Sequence, residues 1–404
     1  SGATSNLFLS PNAIRSWDPQ AGSLVYSAAR VEAVVAQSDL LLALDVTAQL
    51  DAQGRLVGSS KSHTIDIQFV KVDGEWRIDE APAGVMVSED FFTDHMRPFE
   101  LMFFDSSRSR LVSEPIHAVA SDKLATTLML ALAQGPSKGA AGWQQSFVPA
   151  DPYTQAPVPL IDGTAHVEVS ASAAARDDAV VDRMSAQIIA TLKQVPGVEH
   201  VRISTPSSVV VDTSGRHEVS DRWKQFERNN VRRRAHVVAN NRVWRIDSAQ
   251  PRPAPGYLAK DASGARAVAL GSIGSAAVWA DRAEVSLLDG AQRKELSGQG
   301  FLEPIIDVSE TAWIADVHEG QTRVRVVSAH GQKTLSLPRA FTFKSFAVSP
   351  DGSRFAASTT SGKLYVARVV REGARVTRVS HLQEIDVNER HVGLVQWISP
   401  TSLL

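Results

Sequence analysis

The four residues Asp261–Gly264 stand just ahead of the apolar run Ala267–Leu270, and the arrangement returns as Ser349–Gly352 ahead of Phe355–Ser358. Gly264 and Gly352 lie 88 residues apart, which is two periods of about 44. An intermediate unit falls at Val308–Glu310 followed by Trp313–Ala315, and another opens at Trp397–Pro400. Second strands within units are offered by Arg323–Val327 and Lys363–Val369. A period of about 40–45 residues with several short strands is the pattern of a β-propeller, in which each blade buries its faces only against the next. Closure takes about four to eight blades, and the visible repeats supply some four while a further unit opens near the last residue. The expectation is therefore an all-β propeller over residues 209–404, incomplete as it stands.

Ahead of the repeats the periodicity changes. A strand over Phe99–Asp105 leads into an extended piece around Arg110–Val112. Ser121 is placed to cap a helix carrying Leu124, Leu128, Ala131 and Leu132 at helical spacing, and Gly135 and Pro136 stop it. The Asp162–Gly163 turn precedes Ala165, Val167 and Val169 on one strand face. A second helix with Asp177 or Asp178 as cap carries Val181, Met184, Ile188 and Leu192, and Val201–Ser204 returns as a strand. This is an α+β unit over residues 91–208. Between its elements, 136–159 is rich in Gly, Pro and Gln, yet Trp143 and Phe147 argue that it is an ordered excursion.

Residues 1–90 read as a different α+β domain. Ser10 can cap a short helix with Pro11 at its first position. Strands follow at Ser23–Ser27, Arg30–Ala36, Leu40–Leu50 and Ser62–Val72, and Asp73–Gly74 turns the chain into Trp76 and Ile78. A helix on a curved antiparallel sheet is the simplest arrangement. A second short helix near Ser88–His95 precedes the central unit. After it, a helical piece at 221–228, a strand pair across Asn240–Asn241, and a linker at Pro251, Pro253, Pro255 and Gly256 lead into the repeats.

Composition removes several classes of chemistry. The chain has no Cys, so disulfides, thiol nucleophiles and thiolate metal sites are excluded within it. Its formal net charge of −2 makes no case for nucleic acid, and no apolar run of about 18 residues exists to span a bilayer. The first residue is not Met, which leaves room for a removed signal peptide. The eleven His are scattered singly, with no His-Glu-x-x-His run, so neither metal nor cofactor is expected.

Three local features compete for a functional role. The basic run Arg228, Arg232, Arg233 and Arg234 could meet an acidic partner or anionic headgroups, or simply be a solvated junction between domains. Trp143, Phe147 and Tyr153 could line a ligand groove, or pin the excursion to its own core. Glu89, Asp90, Asp94 and Asp105 flank Phe91, Phe92, Phe99, Phe103 and Phe104, as paired carboxylates of a glycosidase would. Surface carboxylates beside core aromatics produce the same pattern.

Arg97, Pro98 and Phe99, followed by Phe103, Phe104 and Asp105, resemble the opening of a GerMN domain, the α+β module of spore-germination proteins. Ala131–Pro136 (ALAQGP) and Leu192–Val198 (LKQVPGV) resemble its two helix ends. The hairpin Val72–Ile78 resembles the last one of nuclear transport factor-like domains. In this order, ahead of the repeats, they make the chain resemble the actinobacterial lipoprotein LpqB family. The resemblance implies an exported protein, lipid-anchored through a Cys near the mature N-terminus to the outer face of the cell membrane. It also implies binding to the extracellular domain of the sensor histidine kinase MtrB, in two-component signalling over cell-envelope and division homeostasis. It brings no catalytic residues, and the anchoring Cys is not in this sequence. The reading is thus a non-enzymatic accessory protein of three domains, 1–90, 91–208 and 209–404. Its propeller face and the Arg228–Arg234 run are the expected contact surfaces. The alternative is a wall-glycan module or hydrolase using the central domain's groove.

Overall fold

Ser10 accepts the backbone N–H groups of Asn12 and Ala13, and Pro11 opens helix α1 (Pro11–Ser16). A capping hydroxyl and a residue needing no N–H partner satisfy most of what a short helix leaves open. The computed structural model describes residues 7–36, 38–58, 61–217, 219–226, 235–246, 251–254, 257–287, 291–337, 341–387 and 391–404. The chain divides into two compact units: Ser1–Leu101 with Glu114–Gly135 and Val148–Asp221, and Met102–Ser113 with Pro136–Phe147 and Arg222–Leu404.

In the first unit, strands β1 (Gly22–Ala36), β2 (Asp39–Asp51), β3 (Leu56–Gly58), β4 (Lys61–Val72), β5 (Glu75–Glu80) and β6 (Val85–Ser88) form one sheet of order β5-β4-β2-β1-β6, with β3 also on β2. The expected strands Ser23–Ser27 and Arg30–Ala36 are one continuous strand, and its register against β2 is broken by bulges. The sheet is not wholly antiparallel as expected, because β6 runs parallel to β1. A glycine pair permits this: a Cβ on Gly84 would sit 2.6 Å from the Gly22 carbonyl oxygen. Leu44, Val46, Ile65 and Ile67 form the buried core of the sheet. Helix α2 (Glu89–His95) is capped by Ser88, with Glu89 and Asp90 in its first turn.

The chain continues through β7 (Met96–Asp105), β8 (Leu111–Val119), helix α3 (Leu124–Ala133) and β9 (Gln144–Gln145), with strand order β8-β7-β9. Helix α3 starts later than Ser121 would have set it. Lys123 takes the cap position without a side-chain bond, while the Ser121 hydroxyl accepts the Lys123 N–H ahead of the helix. Next come β10 (Leu160–Ile161), β11 (Thr164–Glu168), a one-turn helix α4 (Ala171–Ala174), helix α5 (Asp178–Leu192), β12 (His200–Ser204) and β13 (Val209–Asp212), in a sheet ordered β10-β11-β12-β13. Strands β11 and β12 are parallel, so α5 is the crossover that such a pair requires. Helices α3 and α5 pack on each other, and Leu128 and Leu132 on one and Met184 and Ile188 on the other are fully buried or nearly so.

The second unit contains the repeats. Strands β17 (Ala267–Leu270), β18 (Ser275–Val278), β19 (Arg282–Leu287) and β20 (Gln292–Ser297) form one antiparallel sheet. Strands β21 (Ile305–Ile306), β22 (Ala312–His318), β23 (Gln321–Ser328) and β24 (Gly331–Leu335) form the next. In the third, β25 (Phe343–Val348), β26 (Arg354–Thr359) and β27 (Leu364–Glu372) are joined by β28 (Arg375–Val379) and β29 (Gln383–Ile385), both paired with β27. Trp313, Phe343, Phe346 and Phe355 fill the space between the last two sheets. A smaller sheet precedes them: β14 (Ala235–Ala239), β15 (Arg242–Ile246) and β16 (Arg252–Pro253). Asn240 and Asn241 turn the β14–β15 hairpin with φ of 52° and 59°. The expected linker at Pro251–Pro253 is in part this third strand, because β15 offers Arg252 a free edge.

Candidate functional site

The turns at 307–311 and 349–353 each join the first and second strands of their sheet, whereas the similar Asp261–Gly264 turn precedes β17, ahead of its sheet. Asp261 accepts the Ser263 N–H at 2.9 Å, Asp307 accepts those of Ser309 (2.7 Å) and Thr311 (3.2 Å), and the Ser349 hydroxyl accepts that of Arg354 at 2.9 Å. The residue three further on is left-handed each time: Gly264, Glu310 and Gly352 with φ of 69°, 56° and 70°. Glu310 has a use for its side chain there. Its carboxylate accepts the N–H groups of Ser272 (2.6 Å), Ile273 (3.2 Å) and Gly274 (2.9 Å) in the neighbouring blade.

The middle turn also carries buried charge. The Asp307 side chain is fully buried, accepts the Trp313 indole N–H at 2.7 Å, and pairs with the Arg371 guanidinium, itself 4% exposed. Arg371 donates further to the Gly352 carbonyl (3.3 Å), the Ala374 carbonyl (3.2 Å) and the Ser309 hydroxyl (3.2 Å). The Ser309 oxygen receives a second guanidinium, Arg110, at 2.6 Å.

Arg110 arrives on the turn between β7 and β8. Asp105 shapes that turn, accepting the Ser107 hydroxyl at 2.8 Å and the Ser109 N–H at 3.2 Å. Ser106 donates to the Arg371 carbonyl at 3.1 Å, and Arg354 donates to the Ser113 carbonyl at 2.8 Å. Trp143, from the excursion, lies under the Arg368 guanidinium at 3.8 Å. Asp105, Arg110, Trp143, Asp351, Gly352 and Arg371 enclose a narrow cleft with room for about one water molecule. Burial and the neighbouring Arg371 both lower the pKa of Arg110, and Asp307, Asp105 and Asp351 oppose them. Two guanidiniums among three carboxylates, all inside the unit, make a clasp whose charges are spent on one another.

The residues singled out in the sequence fall in separate places. Arg228, Arg232, Arg233 and Arg234 lie outside the described residues. Phe147 packs edge-on against Phe104 at 5.4 Å, and Phe226 packs against the same ring at 4.9 Å. Tyr153 belongs to the other compact unit, where it is exposed. Glu89, Asp90 and Asp94 are exposed on α2, and Asp105 is the buried turn anchor just described. No group of His, Asp and Glu that could hold a metal occurs among the described residues. Arg110, Ser309 and Arg371 had no sequence signal beyond the repeated turn containing Ser309.

In the first unit, β13 ends on Asp212, which is buried and accepts the Ser214 hydroxyl at 2.6 Å and faces the His217 ring nitrogen at 2.7 Å. Burial raises the pKa of this carboxyl, but the bonds from Ser214 and His217 outweigh it and bring it down to about 2. A depressed carboxyl stabilises the fold above its unfolded pKa and loses that contribution as pH falls through its folded pKa. We expect Asp212→Asn to cost on the order of 1 kcal/mol at pH 6, allowing for screening at half-exposed His217, and almost nothing at pH 2. Urea denaturation at the two pH values checks this; an equal cost at both would refute it.

Family models match the chain in three consecutive stretches. Residues 1–93 match the lipoprotein LpqB N-terminal domain, 100–205 match the sporulation and spore germination (Germane) domain, and 241–404 match the lipoprotein LpqB beta-propeller domain. The chain belongs to the LpqB lipoprotein family. Lipoprotein LpqB of Thermobifida fusca is 26% identical over 262 residues, covering 60% of this chain and 42% of the relative. That of Cutibacterium acnes is 24% identical over 96% of this chain and 71% of its own length. That of Rhodococcus jostii is 25% identical over 90% of this chain and 66% of its own. The chain therefore spans between 42% and 71% of these relatives. These relatives are named as lipoproteins.

Proposed function

We propose that this chain is a non-enzymatic extracytoplasmic accessory protein, anchored at the outer face of the cell membrane, that binds the extracellular domain of a sensor histidine kinase of the MtrB type. Tighter binding to one signalling state than to the other would shift the output of that two-component system in envelope and division homeostasis. The observation that carries the reading is the order of the three family modules along one chain. The use made of its carboxylates also supports it. Asp105, Asp307 and Asp351 shape turns, and Asp307 also neutralises a buried guanidinium. The alternative, a glycan-binding module or hydrolase, draws less support, since one face of Trp143 is covered by Arg368 and Phe147 is packed on Phe104.

Calorimetric titration of the chain with the isolated, folded sensor ectodomain tests the reading. Saturable heat at roughly micromolar affinity or tighter is expected, and a steep loss between low and moderate salt would implicate the Arg228–Arg234 run. If a folded ectodomain gives no heat, direct contact through these residues is ruled out. Heat from muropeptides instead would move the alternative to the front.

A further inference from the structure

The first compact unit contains parts of two family modules, and a seam of hydrogen bonds joins them. From residues 1–93 come the turn after β2 and helix α2; from residues 100–205 come β8 and the end of α3. The Gln53 side-chain amide donates to that of Gln134 at 2.6 Å, the Arg55 guanidinium to the Gly135 carbonyl at 2.6 Å, and the His117 N–H to the Gly54 carbonyl at 2.7 Å. Phe92 of α2 lies against the His117 ring, with centroids 5.0 Å apart. His117 is therefore held by both pieces of the N-terminal module, through its backbone by the turn and through its ring by the helix.

We propose that His117 is a proton-operated latch in this seam: protonating its ring parts the turn at 53–55 and helix α2 from β8. The device works beside whatever the chain binds. The ring's Nδ1 is buried and has no hydrogen-bond partner among the described residues. In the neutral ring that atom can be a bare lone pair; in the imidazolium it is an N–H without an acceptor, which costs far more. The carboxylates of the seam are engaged with Arg55. Asp51 lies 3.7 Å from it and accepts the Gln53 and Arg55 N–H groups, each at 2.9 Å, and Glu114 of β8 lies 3.3 Å from its guanidinium. On α2, Glu89, Asp90, Asp94 and His95 are exposed, His95 standing against Phe91 at 4.8 Å. Strand β7, next to β8, adds exposed Arg97 and half-buried Glu100, whose backbone is bonded to Gln194. The end of α3 brings Gln134 and Gly135, which carry no charge. Burial lowers the pKa of the His117 ring. A lowered His pKa makes the closed seam strongest above about 6.5, the ordinary value, and weakens it as pH falls below that. The unperturbed charges of Asp, Glu and Arg do not change between pH 5 and 8, so the ring is what responds.

Hydrogen exchange of the whole chain at pH 7.5 and 5.0, corrected for intrinsic rates, reads the seam through the His117 N–H itself. We expect its protection to fall about fivefold or more at pH 5.0, while amides of helix α5, in the core of the same unit, change less than twofold. His117→Phe keeps a ring against Phe92 and takes no proton, so its seam protection should stay within twofold between the two pH values. His95→Gln should retain the full dependence. If His117→Phe does not fold, NMR titration of the His117 ring in the unsubstituted chain decides: a pKa below 6.5 supports the latch, and one at or above 6.5 overturns it. Equal protection at both pH values, a loss shared equally by α5, or a dependence that survives His117→Phe also overturns it, and none of these results bears on sensor binding.

Discussion

Asp307→Asn is expected to destabilise the second compact unit by about 3–5 kcal/mol, the cost of leaving a buried charge without its partner. The amide oxygen can still accept one or two of the bonds that Trp313, Ser309 and Thr311 now donate. What it removes is the negative charge facing Arg371, and Arg110 stands across the same Ser309 hydroxyl. Two guanidiniums would then face each other with only Asp105 and Asp351 to offset them. Urea denaturation followed by tryptophan fluorescence reads this directly, since Trp313 is bonded to the substituted residue. The double variant D307L/R371M should recover part of the loss, because removing both charges abolishes the unpaired state rather than creating it. A single-variant cost below about 1 kcal/mol would show that the pair is not electrostatically isolated from solvent.

Gly54→Ala is expected to cost about 3 kcal/mol in the first unit. Gly54 has φ of 82°, and its carbonyl accepts the His117 N–H at 2.7 Å. A methyl group there meets the His117 carbonyl oxygen inside any permitted approach, and backbone cannot step aside as a side chain can. The next residue raises the stakes. Arg55 is buried with its guanidinium 3.3 Å from Glu114 and bonded to the Gly135 carbonyl at 2.6 Å, so the turn seats as one piece. The control is Gly74→Ala, where φ is 84° but nothing lies within 4 Å of the added carbon. That substitution should show only the conformational cost, about 1 kcal/mol. Equal costs at the two glycines would remove close approach as the reason for Gly54.

The repeat was legible because Asp261–Gly264, Val308–Glu310 and Ser349–Gly352 each precede an apolar strand. Its phase was not, since the first of these turns precedes β17 while the others lie between the first and second strands of their sheets. Both main helices of the central unit were legible for the same reason, through Leu124–Leu132 and Met184–Leu192. The boundary at Ser121 was misplaced because a capping hydroxyl serves a turn as readily as a helix, and the choice depends on what packs behind it. The parallel strand β6 was missed because four residues, Val85–Ser88, carry no period of their own. The clasp was illegible for a deeper reason. Arg110 and Arg371 are two of 42 Lys and Arg residues, and nothing local marks them as the two that meet at Ser309. Glu310 alone carried a signal, since it stands where its repeat mates carry glycine.

The bond from Arg110 to Ser309 joins residues 199 apart in sequence, and that from Ser106 to Arg371 joins residues 265 apart. Such contacts close late, after the loop entropy between them has been met. A nascent chain holding only its first two modules would carry Arg110 in water, with no acceptor yet made. The last step of assembly is then the capture of an early turn by late blades, and the unit's final cooperativity waits on the third sheet. Fragments cut at the family boundaries would divide this clasp, leaving Arg110 on one piece and Ser309 with Arg371 on the other. Each piece would therefore present polar groups that in the intact chain are bonded to one another.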